Sequence, residues 1–493
     1  MRFTRIGAIA ALLAATVAPA AHATPADDTA AYLKRIEALD ANGPRINAVI
    51  ALNPDAMRQA KAAEGKAGPL AGKAILVKDN IETADPMPTT AGSLALANNV
   101  TGRDAPMIAR LRKAGVVILG KTNLSEWANF RSTHSISGWS GVGGLTRNPH
   151  ATDRSACGSS AGSGAAVAAG FAWAAIGTET DGSITCPASL NGVVGFKPTV
   201  GLVSRTHIVP ISHSQDTAGP MAATVRDAAL MLTAMAGSDP ADAATKDADA
   251  HKADFAAGLD GASLKGVRIG VIRRKSRANP LLYDVYDKAL ADLTRAGAVL
   301  VDIDYTNNDA IDRDEFTVLL YELREDLNAY LAGLPGHPPV RSLADLIAFD
   351  KANAAAEMPW FGQELFEMAE KATDKAAYEK ARENAQRLAG PEGIDRLLAE
   401  NRVAFLVAPT TAPAWPIDFV NGGHYTSVGA GTLAAVAGYP HLTVPMGDVH
   451  GLPIGLSFIG AKWDDAHILQ AGAVYERVRS ATIAAPTFRR WEP

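Results

Sequence analysis

The chain has 493 residues, a formal net charge of −5, 47% hydrophobic residues and 20% charged residues. This composition is typical of a soluble globular protein with a large core. The modest charge, without a basic stripe, argues against nucleic-acid binding. After the N-terminal segment, no apolar run is long enough to cross a bilayer, so no membrane association is expected once that segment is removed.

The beginning of the chain has the pattern of a secretory signal peptide. Arg2 and Arg5 form a positive n-region, residues 9–17 are apolar, and residues 21–23 (AHA) fit a cleavage site. A membrane anchor is the alternative, but about nine apolar residues are too few to span a bilayer. The sequence therefore predicts an exported protein, periplasmic or secreted, cut after Ala23.

Short apolar runs alternate with stretches of helical periodicity along the chain. The pattern predicts strands at residues 73–78, 116–119, 193–196, 267–272, 299–303 and 405–408. It predicts helices at residues 28–39, 54–67, 105–114, 164–175, 227–236 and 283–296, the last completing a βαβ unit, and a helical stretch at 313–400. This alternation indicates an α/β sheet, with the helical stretch as a cap on it.

Lys78 ends the strand predicted at residues 73–78. With a side-chain period of two, Ala74, Leu76 and Lys78 share one face of that strand. Burial among apolar neighbours lowers the pKa of a lysine, and the neutral amine can then act as a general base. A lysine that reaches solvent or pairs with Asp79 is the alternative.

Two groups of hydroxyl side chains lie among glycines further along, Ser159-Ser160 and Ser183. A glycine before a serine permits a tight turn whose N–H groups can form an oxyanion hole. Residues 158–162 also match the G-x-S-x-G nucleophile elbow, which would make Ser160 the nucleophile of an α/β-hydrolase. That motif requires a preceding strand, whereas residues 150–156 are polar, so this is the weaker alternative.

Metal ligands and cofactor motifs are not evident. The 11 histidines are scattered, without an H-E-x-x-H motif or a Cys/His cluster of metal-ligand spacing, so no metal or organic cofactor is predicted. The only two cysteines, Cys157 and Cys186, each lie within three residues of a candidate catalytic serine. They could pair in an oxidising compartment, but we favour two small buried side chains beside the site.

Together these segments resemble the amidase signature family. The resemblance spans roughly residues 30–480 and rests on an ordered set of motifs: KDNI at 78–81, GKTN at 120–123, GSS at 158–160, GTETDGS at 177–183, NGVVGFKPT at 191–199, DTAGP at 216–220 and LPIGL at 452–456. The family implies one large domain with a central twisted mixed β-sheet covered by helices on both faces. We place it at residues 24–493, with a signature core at about 70–230 and a helical cap-like insertion at about 313–400.

The resemblance also implies a Ser-Ser-Lys triad. Ser183 matches the family's nucleophile, which forms an acyl-enzyme, and Lys78 matches its general base. Ser159 matches the bridging serine, whose peptide bond is cis in that family. Two hydroxyls and an amine can pass one proton without an imidazole. The oxyanion hole would be formed by the backbone N–H groups of Thr180, Asp181, Gly182 and Ser183.

Two departures from the common family pattern point to one branch of it. Asp181 stands where a second glycine is usual, and Thr185-Cys186 replaces a segment that contains arginine. The chain is similar in these respects to the peptide amidase branch, which cleaves the C-terminal amide of peptides and releases ammonia. Further similar stretches lie at residues 123–131, 135–140, 342–349 and 408–417. We therefore expect a hydrolase that acts on small peptide amides.

Three alternatives stay open. The chain could be an amidase or esterase of broader acyl specificity, or a subunit of a tRNA-dependent amidotransferase, which the signal peptide disfavours. It could also be an inactive binding homologue, which the intact set of Lys78, Ser159 and Ser183 disfavours. For the substrate-pocket walls we expect aromatic residues of the helical stretch, with a core position as the alternative: Tyr321, Trp360 and Phe361.

Overall fold

A computed structural model provides the structure of the protein and describes residues 24–273, 279–306, 308–426 and 428–492. The described part of the chain forms a sheet of 11 strands and a separate two-stranded ribbon, β4–β5. The predicted signal peptide lies outside the described residues. The strands are β1 (Val49–Leu52), β2 (Ala74–Lys78), β3 (Val117–Thr122), β4 (Trp139–Ser140), β5 (Gly144–Leu145), β6 (Ala174–Glu179), β7 (Val194–Lys197), β8 (Thr217–Ala222), β9 (Arg268–Arg273), β10 (Val299–Asp304), β11 (Phe405–Pro409), β12 (His441–Val449) and β13 (Leu452–Ile459).

Helices cover both faces of the large sheet. They are α1 (Pro25–Ile36), α2 (Ala56–Ala63), α3 (Pro106–Lys113), α4 (Ala161–Ala168), α5 (Thr185–Leu190), α6 (Val225–Met235), α7 (Ala248–His251), α8 (Pro280–Arg295), α9 (Asp309–Ala332), α10 (Leu343–Ala352), α11 (Ala354–Glu357), α12 (Glu364–Lys371), α13 (Lys375–Ala389), α14 (Arg396–Asn401), α15 (Gly431–Ala437) and α16 (Asp465–Val478). Among the described residues, no helix combines the length and the apolar character that a bilayer crossing requires.

The sheet is mixed. Its strand order is β1-β3-β2-β6-β8-β7-β12-β13-β11-β9-β10. Strand β2 runs parallel to β3 and β6, and β9 runs parallel to β10 and β11, whereas the strands between these groups pair antiparallel. The expected α/β fold with a mixed sheet and helices on both faces is confirmed, as is the βαβ unit, which consists of β9, α8 and β10.

The two faces of β2 determine where Lys78 lies. Ile75 and Val77 pack into a core that includes α3, α6, α8 and α16. Leu76 packs on the other face, in a core that includes α4 and α5. Because side chains alternate along a strand, Lys78 is on the same face as Leu76. The two serine motifs directly precede α4 and α5, so the fold brings them to the face of β2 that carries the lysine.

Several strands were not predicted from the sequence: β1, β6, β8, β12 and β13. The helix predicted at residues 164–175 is too long, because α4 ends at Ala168 and Gly170 adopts a φ of 70°. Its alanine-rich C-terminal part instead begins β6. Strands β12 and β13 each contain a proline and a glycine, residue types that are depleted in strands, so the pattern did not reveal them.

Helices α9 to α14 lie in the stretch that was predicted to be helical. Leu323 and Leu327 of α9 belong to an apolar cluster with α10 and α12. The same cluster includes Leu96 and Ile211, which precede the helical stretch in the chain. This part of the helical stretch therefore packs through an apolar cluster separate from that of the sheet, whereas α13 and α14 pack directly on β9 and β11.

The buried side chain of Arg131 also joins these two parts. Arg131 is fully buried, and its Nη1 lies 2.6 Å from Glu126 Oε1. The same nitrogen donates to the backbone oxygen of Glu357, at the end of α11, at 2.6 Å. Burial raises the pKa of Glu126 well above its ordinary value, and the charge of Arg131 opposes this shift. The pair therefore depends on both charges being present.

Cys157 and Cys186 form a disulfide bond, and their Cα atoms are 6.0 Å apart. The sequence interpretation, which favoured two separate buried thiols, was wrong on this point. Spacing along the chain could not decide the question, because a disulfide requires two Cα atoms within about 4.4–6.8 Å of each other in the fold. The bond links the segment before α4 to the first turn of α5.

Replacing Arg131 by leucine is expected to lower the free energy of unfolding by about 3–5 kcal/mol, because Glu126 would remain buried without its partner. Urea unfolding measures this change. Arg58→Leu is the matched control, since Arg58 pairs with Asp55 at the surface with 71% of its side chain exposed and should change stability little. Similar losses in both variants would show that the buried pair does not stabilise the fold.

Removing the disulfide with the double variant Cys157→Ser/Cys186→Ser is expected to lower the free energy of unfolding by about 3 kcal/mol, because the bond restricts the unfolded chain over a separation of 29 residues. Urea unfolding of the variant and of the reduced parent protein should agree. Alkylation of two thiols in unreduced, denatured parent protein, read by mass spectrometry, would contradict the bond.

Candidate active site

Lys78 is fully buried at the end of β2. Its Nζ donates to Ser159 Oγ at 2.8 Å, to Thr178 Oγ1 at 2.8 Å and to the Thr178 carbonyl oxygen at 3.2 Å. Burial lowers the pKa of Lys78 to about 7, against the opposing charges of Asp216 and Glu179. A lysine with this pKa is largely neutral slightly above pH 7, which is the state that a general base requires.

Asp79 is not the partner of Lys78. Its Oδ1 lies 3.5 Å from Nζ of Lys121, and its Oδ2 accepts a hydrogen bond from the Thr90 N–H at 3.2 Å. Lys78 forms no ion pair with any residue that the structure describes. The alternatives of a lysine that pairs with Asp79 or reaches solvent are therefore wrong.

Ser159 is fully buried and follows a cis peptide bond, Gly158–Ser159, as the family resemblance implied. Its carbonyl oxygen accepts a hydrogen bond from the Ser125 N–H at 3.0 Å. A Cβ atom at position 158 would lie 2.1 Å from Ser125 Oγ, so only glycine fits there. The close approach of these two segments fixes the backbone from which the Ser159 hydroxyl reaches Lys78.

Ser160 does not have the environment of a nucleophile. It is fully buried, its Oγ donates to the Thr178 carbonyl oxygen at 3.1 Å, and the same atom accepts from the Thr178 N–H at 3.2 Å. The preceding residues form isolated bridges at Arg154 and Ser155 but no strand. The nucleophile-elbow alternative lacks both the exposed hydroxyl and the strand that it requires.

Ser183 lies in the turn between β6 and α5. Gly182, directly before it, has a φ of 75°, which glycine adopts without strain. The Ser183 carbonyl oxygen accepts a hydrogen bond from the Ser160 N–H at 3.1 Å, so this turn lies beside the segment that carries Ser159. The hydrogen bonds of the described residues include Lys78 to Ser159 but none between the hydroxyls of Ser159 and Ser183.

Glu179 stabilises the C-terminal end of the same turn. Its Oε2 accepts hydrogen bonds from the N–H groups of Ile184 at 2.7 Å and Thr185 at 2.9 Å. Sequence analysis did not identify Glu179 as a site residue, although it lies inside the GTETDGS motif. Its position four residues before Ser183 was the sequence signal that could have identified it.

Four backbone N–H groups were predicted to form an oxyanion hole. Those of Asp181, Gly182 and Ser183 have no partner among the hydrogen bonds of the described residues, and all three residues line a cavity. Free N–H groups beside a hydroxyl nucleophile are what an oxyanion hole requires. Thr180 also lines this cavity, and its hydroxyl donates to Asp216 Oδ1 at 2.6 Å, which fixes the start of the turn.

The cavity beside Ser183 has a volume of about 570 Å³. This volume is within the range of small-molecule sites, about 300–1,000 Å³. Its walls differ in character. One part of the wall consists of aromatic and aliphatic side chains, those of Phe130, Leu319, Trp415 and Tyr425. Another part consists of carboxyl groups, those of Asp181, Asp312 and Glu315.

The prediction of the aromatic pocket walls was wrong. None of Tyr321, Trp360 and Phe361 lines this cavity. Tyr321 stacks on Tyr378 with ring centroids 4.2 Å apart, and Phe361 packs edge-on against Trp139 at 5.3 Å. The first turns of α9 contribute to the cavity instead. These turns lie far from the motifs in sequence, so no local pattern could identify them.

Among the described residues, His213, Glu322 and Asp326 are close enough together to hold a cation. Both ring nitrogens of His213 already face carboxylates, with Nδ1 3.0 Å from Asp326 Oδ2 and Nε2 3.1 Å from Glu322 Oε1. The hydrogen bond to Asp326 raises the pKa of His213. The histidine therefore bridges two helix-borne carboxyls, and none of the three residues lines the cavity beside Ser183.

Comparison with known proteins identifies the family of this chain. The family described as Amidase matches residues 27–469. The native peptide amidase of Stenotrophomonas maltophilia is 50% identical, with a TM-score of 0.89 over 94% of this chain and 95% of that chain. A peptide amidase structure in complex with the competitive inhibitor chymostatin has the same identity, 50%, and the same TM-score, 0.89, over 94% of this chain and 96% of that chain.

A more distant relative gives the same result. A probable amidase of Arabidopsis thaliana is 38% identical over 90% of this chain and 85% of its own length. The matches extend over nearly the whole described chain, including both serine motifs and the strand of Lys78. The chain therefore belongs to the amidase family and is a hydrolase of amide C–N bonds.

Proposed function

We propose that this hydrolase removes the C-terminal amide of peptides through an acyl-enzyme on Ser183. One observation carries the mechanism: Nζ of a fully buried lysine lies 2.8 Å from Ser159 Oγ, next to the turn of Ser183. The peptide substrate is supported by the 50% identity to a peptide amidase. It is also supported by the binding of chymostatin to a protein of this kind.

The first half of the reaction acylates Ser183. Neutral Lys78 accepts the proton of the Ser159 hydroxyl while Ser159 accepts the proton of Ser183. The Ser183 oxygen bonds to the amide carbon, and the free N–H groups of the turn bind the negative carbonyl oxygen. The C–N bond then breaks, the proton returns through Ser159 to the nitrogen, and ammonia leaves.

The second half of the reaction releases the acid. A water molecule gives a proton to the Ser159–Lys78 pair and bonds to the ester carbon. The bond to the Ser183 oxygen breaks, and the proton returns to that oxygen. One amide and one water thus give one carboxylic acid and one ammonia, and the enzyme regains its starting state.

The proposed location is outside the cytoplasm, with the first 23 residues removed as a signal peptide. The disulfide between Cys157 and Cys186 supports this location, because disulfides persist in oxidising compartments. Export would also bring the enzyme into contact with extracellular or periplasmic peptides.

Ser183→Ala is expected to lower kcat/KM for a peptide amide by at least about 10⁴-fold, because no acyl-enzyme can form. Ammonia release measures the rate, and a fluorophosphonate should label Ser183 in the parent protein. Ser160→Ala is the matched control and should keep most of the activity. Substantial activity of Ser183→Ala would overturn the proposal, and equal rates with simple aliphatic amides would favour the broader specificity.

The activity of the parent protein is expected to rise with pH through about 7. Lys78 carries a proton below its pKa of about 7 and cannot accept one, so kcat/KM should fall as pH decreases through that value. Rates between pH 5 and pH 9 measure the midpoint. Lys197→Met is the matched control, since Lys197 is also fully buried but has a pKa of about 8. A midpoint that moves in this variant would reject Lys78 as the base.

A further inference from the structure

Three carboxyl groups line the cavity onto which Ser183 opens, those of Asp181, Asp312 and Glu315. Asp181 lies two residues before Ser183 in the turn. Asp312 and Glu315 are three residues apart on the first turns of α9, so they are neighbours on that helix. The described lining of the cavity includes no lysine, arginine or histidine. Only negative side-chain charge therefore faces the space beside the reacting hydroxyl.

Neutral groups hold two of these carboxyls in place. The Thr432 hydroxyl donates to Asp181 Oδ2 at 2.9 Å, and the Gln215 amide donates to Glu315 Oε1 at 2.7 Å. Glu315 is nine-tenths buried, with 9% of its surface exposed. None of the three acids pairs with a cationic side chain among the residues that the structure describes. The protein thus orients these carboxyls through neutral partners.

Negative neighbours raise the pKa of two of these carboxyls, Asp181 and Glu315. Desolvation in the cavity and the charges of Glu179 and Asp312 together raise the pKa of Asp181 to about 6, while the Thr432 hydrogen bond opposes this shift. Burial and the charge of Asp181 raise the pKa of Glu315 well above its ordinary value. Like charges that share a cavity have this effect, and a bound cation relieves it.

The backbone of the same turn provides independent support that a ligand binds here. The N–H groups of Asp181, Gly182 and Ser183 have no partner among the hydrogen bonds of the described residues. A carbonyl oxygen of the substrate would satisfy them. The carboxyls therefore line the same cavity as the N–H groups that would hold the acyl group of a substrate, and they are not an isolated acidic patch.

We infer that this cavity selects amides whose acyl portion carries a positive charge, an inference that rests on the proposed function. An ammonium or guanidinium group would supply the counter-charge that the cavity lining lacks. Its source would be the free N-terminus of a short peptide amide or a lysine or arginine side chain next to the scissile amide. A substrate cation would also offset the repulsion between the carboxyls and the oxyanion of the reaction.

The residue at position 181 separates this chain from the common family pattern. A second glycine is usual there, and a glycine would leave the N–H groups of the turn in place. The Asp181 side chain is therefore not required for attack on the amide. It adds charge at a point two residues from the nucleophile, where charge discriminates between substrates.

Three dipeptide amides of nearly equal size test the inference and separate the two sources of charge. They are N-acetyl-alanyl-lysine amide, N-acetyl-alanyl-norleucine amide and alanyl-norleucine amide with a free N-terminus. At least one of the two cationic amides is expected to have a kcat/KM about tenfold above that of the neutral amide. Because salt screens charges, this ratio should decrease in 0.5 M sodium chloride, a measurement that needs no variant. A ratio near one at low salt would overturn the inference.

Two variants test whether the carboxyls cause the preference for cationic amides. Asp181→Asn and Glu315→Gln keep the size of each side chain, and each is expected to bring the ratio between cationic and neutral amides toward one, mainly through KM of the cationic amide. Asp260→Asn is the control for net charge, since Asp260 is 87% exposed, and should leave the ratio unchanged. An unchanged ratio in both cavity variants would overturn the inference. A loss of activity that affects all three amides equally leaves this ratio unchanged.

Calorimetric binding to Ser183→Ala separates this inference from the proposed function. Tighter binding of a cationic amide than of the neutral amide, without turnover of any amide by the parent protein, would reject the proposed function and keep the charge selectivity. Turnover of all three amides by the parent protein, together with equal binding to the variant, would keep the function and reject the selectivity.

Discussion

The active site depends on a lysine that must lose its charge inside the protein. Burial disfavours the ammonium form of Lys78, and the hydrogen-bond acceptors around Nζ, the oxygens of Ser159 and Thr178, are neutral. A carboxylate in direct contact would retain the proton and prevent the amine from acting as a base. Lys121, on the adjacent strand, is buried equally fully, but its Nζ lies 3.5 Å from Asp79 Oδ1. Burial lowers the pKa of Lys121 too, and the charge of Asp79 opposes this shift. The two buried amines thus differ in whether a carboxylate lies beside them.

The sequence predicted the parts of the fold that local patterns encode. The apolar run before Lys78 predicted both the strand and the strand face on which the lysine lies. The alternation of strand and helix patterns predicted the βαβ unit. Strands such as β12 and β13 were missed because they contain proline and glycine, and their stability comes from pairing with distant neighbours. Within the site, Lys78 and Ser159 were predicted and do come into contact. The carboxyls of α9 could not be predicted, because only the fold brings them to the cavity.

Two links of different kinds hold the serine segments together. The backbone bond from Ser160 to Ser183 joins them at 3.1 Å, and the disulfide joins Cys157 to Cys186. Both links use atoms within three residues of the serines proposed for catalysis, so small rotations of either segment are restricted. The sequence left the disulfide open for a physical reason: two small buried thiols and one disulfide have nearly the same composition and packing. Only the distance between the two Cα atoms, which the whole sheet determines, separates these cases.

The chemistry and the selection of substrate depend on different parts of the molecule. The lysine and both serine motifs lie on one face of the central sheet, where any shift would disturb a continuous core. The wall that carries Asp312 and Glu315 belongs instead to α9, whose first turn packs at the β9–β11 end of the sheet and whose later turns pack in a second apolar cluster. A change of side chain on α9 can therefore alter the charge of the cavity without moving Lys78 or Ser159. Asp181 is the exception, because it combines a backbone N–H proposed for the oxyanion with a side chain that lines the cavity. At that position alone the requirements of catalysis and of substrate charge must be met by one residue.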